Sequence, residues 1–389
     1  MDIVKGYRFR IKTNSNIQSL LEQFAGANRW LYNWALDQRK QYYKACGKSL
    51  NYYDQANQLS SLKAFYPWLK DCPSQSLQQT LKHVDTAFKN FFKGTGMFPQ
   101  FQKRGIHDSF NYPQGFKLDN RRIFLPKIGW IRFYKSCPIL GKVKNVTVSR
   151  EGEHWYISLC SEVEQALEQA PSSEVAIDLG VKKLLSLSTG EQIEPIDFSK
   201  EQRKLKKSQR KLSRMKKGSN NWKKQKNRLN RKHRKIVNKR RDYLHKASTE
   251  ICKNHAVIYV EDLIIPNMSK SAKGNALEHG RNVKAKSGLN RSILQQGWGE
   301  FIRQLSYKSA WRNGSVIKID HRYTSQKCSE CGHTAKENRK TQAVFECVKC
   351  GHTENADINA SKNILAVGQT VSACGSNPIR DRKQEPLVA

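Results

Sequence analysis

Apolar and polar residues change their spacing several times along the chain, and each change predicts a different kind of element. Tyr7-Arg8-Phe9-Arg10-Ile11 alternates in a way that suits a strand with one buried face. From about Ile17 to Phe92 the apolar residues fall at helical intervals instead, as Leu20, Leu21, Phe24, Leu31 and Trp34 do. Between Met97 and Leu159 short runs rich in branched and aromatic residues return: Ile123-Phe124-Leu125, Trp130-Ile131-Arg132-Phe133, Val146-Thr147-Val148 and Trp155-Tyr156-Ile157, separated by Gly and Pro. This order predicts a small barrel or sheet that carries a helical insertion. Ser161 to Ser173 is acidic, small and Pro-containing, unlike either flank, and reads as a linker.

Beyond it, Val175-Ala176-Ile177-Asp178-Leu179 predicts a buried strand with an acid inside it. Leu184 to Gly190 predicts a second strand that completes a hairpin. Leu205 and Leu212 lie seven apart, and Met215, Trp222, Leu229, Ile236 and Tyr243 continue at the same interval. Sevenfold spacing with charges elsewhere predicts two long helices, joined or bent near Gly218. Ala256-Val257-Ile258-Tyr259-Val260 predicts another buried strand. Residues 266–290 are poor in large apolar side chains and read as a loop, and the segment after Leu365 has no periodicity and reads as a loose tail.

Charge then sharpens this outline. The 389 residues carry 70 Lys and Arg against 33 Asp and Glu, a net charge of +37. Residues 201–246 alone hold 21 Lys and Arg and two acids, Glu201 and Asp242. Like charges repel within a helix, so a one-signed hairpin calls for an anionic partner that relieves the repulsion. Nucleic acid is the natural polyanion for such a surface. In the N-terminal half, Lys103-Arg104, Arg121-Arg122, Arg132 and Lys135 interleave with aromatics, which suits backbone contact with base stacking, although any one ring also fits as barrel core. At 38% hydrophobic residues the chain can bury cores. No apolar run is long enough to span a bilayer and the first thirty residues lack the order of a signal peptide, so no membrane partner and no secretion are expected.

Four of the ten cysteines form two knuckles, Cys328-x2-Cys331 and Cys347-x2-Cys350, while six are scattered singly. Paired knuckles suit one tetrahedral Zn2+ in a reducing compartment, a closed structural site in which His333 and His352 are not required. Three acids occupy distinctive settings: Asp178 within a strand, Glu261 where a buried strand emerges, and Asp357 near the start of a helix. A carboxylate on a buried strand costs several kcal/mol unless partnered. Each acid taken alone also fits a structural role, Asp357 as a first-turn charge.

With the basic hairpin between the first two acids and the cysteine ribbon just before the third, the chain resembles the TnpB family of bacterial insertion sequences, RNA-guided DNA endonucleases related to type V CRISPR effectors. The resemblance is dense from Val175 to Leu365. It rests on Asp178-Leu179-Gly180, Glu261-Asp262-Leu263, Asn267-Met268, Gln296-Gly297-Trp298, Leu305-Ser306-Tyr307-Lys308, Tyr323-Thr324-Ser325-Gln326 and the run Asp357 to Leu365. It implies an α/β and α+β multidomain fold: a wedge-type β-barrel at 1–15 and 97–160, a helical recognition insertion at 16–96, a linker at 161–173, a RuvC-like, RNase H-type nuclease domain with a helical insertion at 174–320 and 353–368, an inserted zinc ribbon at 321–352, and a flexible tail at 369–389. It further implies that Asp178, Glu261 and Asp357 are catalytic and hold two Mg2+ ions. Cys328, Cys331, Cys347 and Cys350 would hold Zn2+. The implied partners are a guide RNA transcribed from the element end, double-stranded target DNA and the RNA–DNA heteroduplex, met in the bacterial cytoplasm or nucleoid. The alternatives are a nuclease-inactive RNA-guided repressor, a strand-joining transposase, and a zinc-ribbon RNA-binding protein without catalysis.

Overall fold

A computed structural model describes residues 2–106, 108–164, 173–275, 278–320 and 322–373. It divides into two compact units, Met1–Gln165 and Ala166–Ala389.

In the first unit the alternating N-terminal segment forms β1 (Asp2–Arg10), and four helices follow: α1 (Ser15–Cys46), α2 (Tyr52–Asn57), α3 (Leu59–Phe65) and α4 (Ser74–Phe92). Asn14 caps α1 by accepting the Ile17 amide at 2.8 Å, and Gly47 ends it in the left-handed conformation, φ +65°. The chain then returns to strands: β2 (Ser109–Tyr112), β3 (Lys117–Asp119), β4 (Arg122–Leu125), β5 (Gly129–Arg132), β6 (Lys142–Glu151) and β7 (His154–Glu164). One antiparallel sheet has the order β1-β7-β6-β2, and β3-β4-β5 make a second sheet. Ile11 bridges to Phe133, and the Tyr134 amide donates to the Arg10 carbonyl at 2.9 Å, tying the sheets together. Leu21, Phe24 and Leu31 of α1 and Leu77, Leu81 and Val84 of α4 share one core with Phe110, Trp155 and Ile157. The strand–helices–strand order expected from spacing is therefore present. The expected linker begins later than its composition suggested: Ser161 to Glu164 pair with β1 as the end of β7, because Val163 finds a buried position opposite Ile3. Residues 165–172 of that segment lie outside the described residues.

The second unit opens with β8 (Glu174–Leu179), β9 (Leu185–Leu187) and β10 (Gln192–Ile193), followed by the basic hairpin of α5 (Ser199–Ser213) and α6 (Asn220–Asn254). Gly218, at φ +90°, turns the chain between the helices, as the broken periodicity suggested. The heptad residues are only half-buried. The position that closes is polar: Gln225 is buried and donates to the carbonyl and hydroxyl oxygens of Ser208 at 3.2 and 2.9 Å. Then come β11 (Val257–Glu261), α7 (Ile265–Met268), α8 (Val283–Gln296), α9 (Trp298–Ala310), β12 (Ser315–Ile319), β13 (Val344–Glu346), β14 (Thr353–Asn355) and α10 (Ala356–Ala373).

The main sheet has the order β10-β9-β8-β11-β12; β8, β11 and β12 run parallel, and β9 runs antiparallel to β8. Both faces are covered, which is why β8 and β11 read as continuous apolar runs. Val175, Ile177, Ile258 and Val260 pack against Leu244 and Ile251 of α6, Ile293 of α8 and Phe301 and Leu305 of α9. Ala176, Tyr259, Ile317 and Ile319 pack against Ile364 of α10.

Two segments differ from expectation. The second half of 266–290 is helix: Lys286 donates to the Met268 carbonyl at 2.8 Å, and Asn290 donates to Ser269 and Lys270 carbonyls, so polar side chains hold α8 where apolar ones are scarce. The C-terminal segment is helical through Ala373, since Gly368 lets α10 lie against Tyr259, whose hydroxyl is 2.9 Å from that of Ser372. Residues 374–389 of the expected tail lie outside the described residues.

Candidate functional site

Strand parity decides where two of the acids point. Asp178 is two residues from Ala176 and Glu261 two from Tyr259, so both acids share the face that α10 covers. Ile177 of β8 lies level with Val260 of β11, which sets Asp178 level with Glu261 at the ends of adjacent parallel strands. α10 starts beside them because Asn355 caps it, accepting the amides of Asp357 and Ile358 at 3.0 and 3.3 Å, and this puts Asp357 in the first turn. The third acid thus arrives at the carboxyl ends of the strands carried by a helix.

The three acids feel one another. Burial, then the charges of Glu261 and Asp357, push the Asp178 carboxyl up to about 7, against the opposing pull of Arg339 and a backbone hydrogen bond from Leu179. Arg339 stands 3.6 Å from Asp357, and Thr324 donates to Glu261 at 2.8 Å. Acids this crowded are stabilised by a hard cation, and an all-oxygen donor set suits Mg2+. That chemistry fits the three carboxylates.

The four cysteines make a tighter group. Their sulfur atoms all lie within 4.8 Å of one another, with Cys328 to Cys350 at 3.7 Å and Cys331 to Cys347 at 3.6 Å. Sulfurs at the corners of a tetrahedron around Zn2+ are separated by about 3.8 Å, so the group is already spaced for that ion. Each knuckle is a tight turn: Gly332 and Gly351, both at φ +73°, donate to the carbonyls of Cys328 and Cys347 at 3.0 Å. His333 and His352 contribute backbone carbonyls to the amides of Cys328 and Cys347 and no ring atoms to the group. Among the described residues this is the group of Cys, His, Asp or Glu that closes to such a spacing; the three acids stand wider.

α10 joins the two sites. Asn359 donates to the Lys327 carbonyl at 2.8 Å and accepts the Ser329 amide at 3.0 Å, while Asn363 donates to the carbonyls of Thr324 and Lys327 at 2.9 and 2.6 Å. The helix that brings Asp357 therefore grips the base of the cysteine ribbon, and through Thr324 it reaches Glu261. Arg339, Thr324, Asn359 and Asn363 had no role from sequence alone. The signal available for the two asparagines was their spacing of four, which puts both on one helix face. Arg339 had no such signal, since one arginine among 70 basic residues is not distinctive.

The fold places the chain in a class. It superposes on Cas12f1 from a Cas12f1–sgRNA–target DNA complex with a TM-score of 0.57 at 14% identity, covering 93% of this chain and 98% of that one. It superposes on the mini-RNA-guided endonuclease CRISPR-Cas_phi3 with a TM-score of 0.53 at 11% identity, covering 94% and 92%. The shared architecture is that of Cas12-type proteins.

Sequence relatives narrow this. The IS605 OrfB family model, described as "Probable transposase", matches residues 158–272, and the Cas12f1-like TNB domain matches residues 298–364. A model described as a helix-turn-helix domain matches residues 1–48, where the structure has β1 and the single long helix α1. A protein of Escherichia coli (strain K12) named as an RNA-guided DNA endonuclease, InsQ, is 50% identical over 99% of this chain and 98% of its own length. A second so named, from Streptomyces pristinaespiralis, is 31% identical over 98% and 93%. The chain belongs to the IS605 OrfB family, the TnpB proteins.

Proposed function

We propose that this chain is an RNA-guided DNA endonuclease in which Asp178, Glu261 and Asp357 hold catalytic Mg2+. The observation that carries the reading is the convergence of three acids, distant in sequence, on one end of one sheet, close enough for two of them to raise the third. The order β10-β9-β8-β11-β12 supports an RNase H-type, RuvC-like nuclease core, and the bridged N-terminal sheets with α1 to α4 between β1 and β2 support a wedge barrel carrying a recognition insertion.

When bound, a pair of Mg2+ ions would supply the charge that activates water and stabilises the departing oxygen of a phosphodiester. Asp178, central in the sheet, would help hold both ions, and Glu261 and Asp357 would complete the set of carboxylates around them. Thr324 orients the Glu261 carboxylate by its hydrogen bond. Arg339, the cation beside these acids, is placed to hold the scissile phosphate once the acids are neutralised. The four thiolates would hold structural Zn2+.

Sequence choice falls to a guide RNA transcribed from the element end, read by base pairing next to a short duplex motif. The α5–α6 hairpin offers phosphates a surface on which most exposed side chains are Lys or Arg. In the first unit Arg122 lies 5.0 Å over the half-exposed ring of Trp130 and Arg8 lies 4.3 Å over Tyr156, pairings that suit backbone contact with base stacking. The chain would act on nucleoid DNA in the bacterial cytoplasm.

The test uses purified protein with its co-purified RNA, Mg2+ and a plasmid bearing the matched target. Cutting that disappears in Asp178→Ala supports the reading. Binding without cutting assigns a repressor, joined strands assign a transposase, and neither leaves a zinc-ribbon RNA-binding protein.

A further inference from the structure

A cavity of about 340 Å³ opens where the segment after β10 passes between α6 and the end of α8. We infer that it is a binding site for a single unstacked nucleobase. The inference rests on the nucleic-acid reading above, and it concerns a position that neither the three acids nor the cysteines touch.

Size and lining both select such a ligand. The volume lies at the small end of ligand pockets, enough for one monomer unit. Its floor is apolar, with Phe198, Leu184 and Leu244 almost fully buried. Around that floor stand the amides of Gln202, Gln295 and Gln296 and the ring of Tyr243. A carboxamide offers a donor and an acceptor side by side, the arrangement that matches the edge of a base. Gln296 donates to the Val181 carbonyl at 3.3 Å, whereas the side chains of Gln202 and Gln295 have no partner among the described residues and are available to a ligand. The Tyr243 hydroxyl is held by the Glu194 carbonyl at 2.5 Å, which fixes one edge of the ring.

A phosphate is a poorer occupant. The cation in the lining is Arg240, and it already donates to the carbonyls of Leu294 and Gln295 at 3.3 Å. Asp197 is also in the lining, its carboxyl held below the ordinary range by the hydroxyl and amide of Ser199 and, less strongly, by Arg203 and Lys200, so it stays charged and competes with an anion for those cations. The phosphates belong outside, on the basic hairpin that forms one wall. The pocket therefore fits a nucleotide whose backbone lies along α5 and α6 and whose base turns inward. Either an RNA or a DNA strand could supply that base.

Photo-crosslinking of the full-length ribonucleoprotein distinguishes the sources. One arm carries 4-thiouridine or 6-thioguanosine in a transcribed copy of the co-purifying RNA, and the other carries 4-thiothymidine in the target duplex. Crosslinks mapping to 195–202 or 240–244 are expected from one strand, and their loss in Gln202→Ala/Gln295→Ala supports the assignment. In parallel, the double variant should bind the same RNA or target about tenfold more weakly, with an unchanged dependence on salt because no phosphate contact is lost. Gln295→Ala alone provides the same readout if the double variant unfolds at a lower temperature. Crosslinks elsewhere on the hairpin but none in the pocket, with unchanged affinity, overturn the pocket and leave RNA guidance standing. A weaker salt dependence in the variant also overturns it, since that is the signature of a phosphate site. No crosslink anywhere on the protein removes the nucleic-acid reading and the pocket with it.

Discussion

The cysteine ribbon and the acid cluster both gather like-charged ligands, and they do it by opposite routes. The four thiols come from 23 consecutive residues, Cys328 to Cys350, and each knuckle is closed by its own turn and its own glycine. The three acids are spread from 178 to 357, and they meet only because two parallel strands and a helix are already packed. Few apolar side chains, Phe345 and Ala356 among them, lie beneath the ribbon, so a Zn2+ held by the four thiols would supply much of what fixes its shape. The acid cluster rests on a packed core of strands and helices, and its crowding shows in the raised Asp178 carboxyl.

The largest effect that can break this contrast is on catalysis. Asp178→Ala should lower target cleavage at least about a thousandfold while leaving RNA and target affinity within about twofold. Cutting at near wild-type rate would end the assignment. The same residue predicts a pH dependence of stability. With the folded-state carboxyl raised to about 7 from an ordinary value of 3.8, the native protein holds a proton that the unfolded chain has released between those values. Stability of the Mg2+-free protein should therefore fall as pH rises from about 4 to 7, by on the order of 4 kcal/mol. Asp178→Asn should flatten that slope in a series of thermal melts, and Mg2+ should flatten it in the wild type. A slope that persists in Asp178→Asn would show that the crowding lies elsewhere.

Removing the other ion should have the opposite character. A Zn2+ chelator, or Cys331→Ser with Cys350→Ser, is expected to expose backbone amides from about 324 to 355 to hydrogen exchange while β8 and β11 stay protected. Metal analysis of the untreated protein should return one Zn2+ per chain. Protection retained in the ribbon after complete loss of metal would erase the distinction between the two sites.

A third break goes through the helix that serves both. Gly368 lies so close to Tyr259 that a Cβ there would sit 2.2 Å from its ring. Gly368→Ala should cost about 3 kcal/mol and lower the melting temperature by roughly 8 °C, through displacement of α10 or of the ring. A melting temperature within a degree of wild type would mean that α10 does not need this close approach.

The same division explains what was legible in the sequence. The knuckles could be found because spacing and turn chemistry are local, and the basic hairpin because charge and a sevenfold period are local too. The apolar runs of β8 and β11 announced a sheet covered on both sides, but parity alone could not say which face α10 would take, so whether the acids met was not readable. Polar residues that act as core were the least legible. Gln225 closes the hairpin seam where leucines were expected to. Lys308, one of 70 cations, is buried, donates to His245, Ser248 and Thr249, and has its amine pushed down to about 8 by burial. The run Leu305 to Lys308 belongs to the resemblance, but it gives this lysine no role, because its three acceptors come from a helix about sixty positions away.

The smallest effect tests the link between the two sites. Asn363 donates to the carbonyls of Thr324 and Lys327, so Asn363→Ala removes the donor from two oxygens and should cost about 2 kcal/mol. If Thr324 carries that change to Glu261, cleavage should fall about tenfold while Zn2+ content stays at one per chain. Thr324→Val removes the hydrogen bond to Glu261 directly and should give a similar loss in cleavage with a smaller loss in stability. The double variant then decides the matter. If both residues act by positioning Glu261, the double variant should be little slower than the worse single, because the second substitution removes a contact already lost. Losses that multiply would show two independent roles, and the ribbon and the acid cluster would then be neighbours on α10 without being coupled through it.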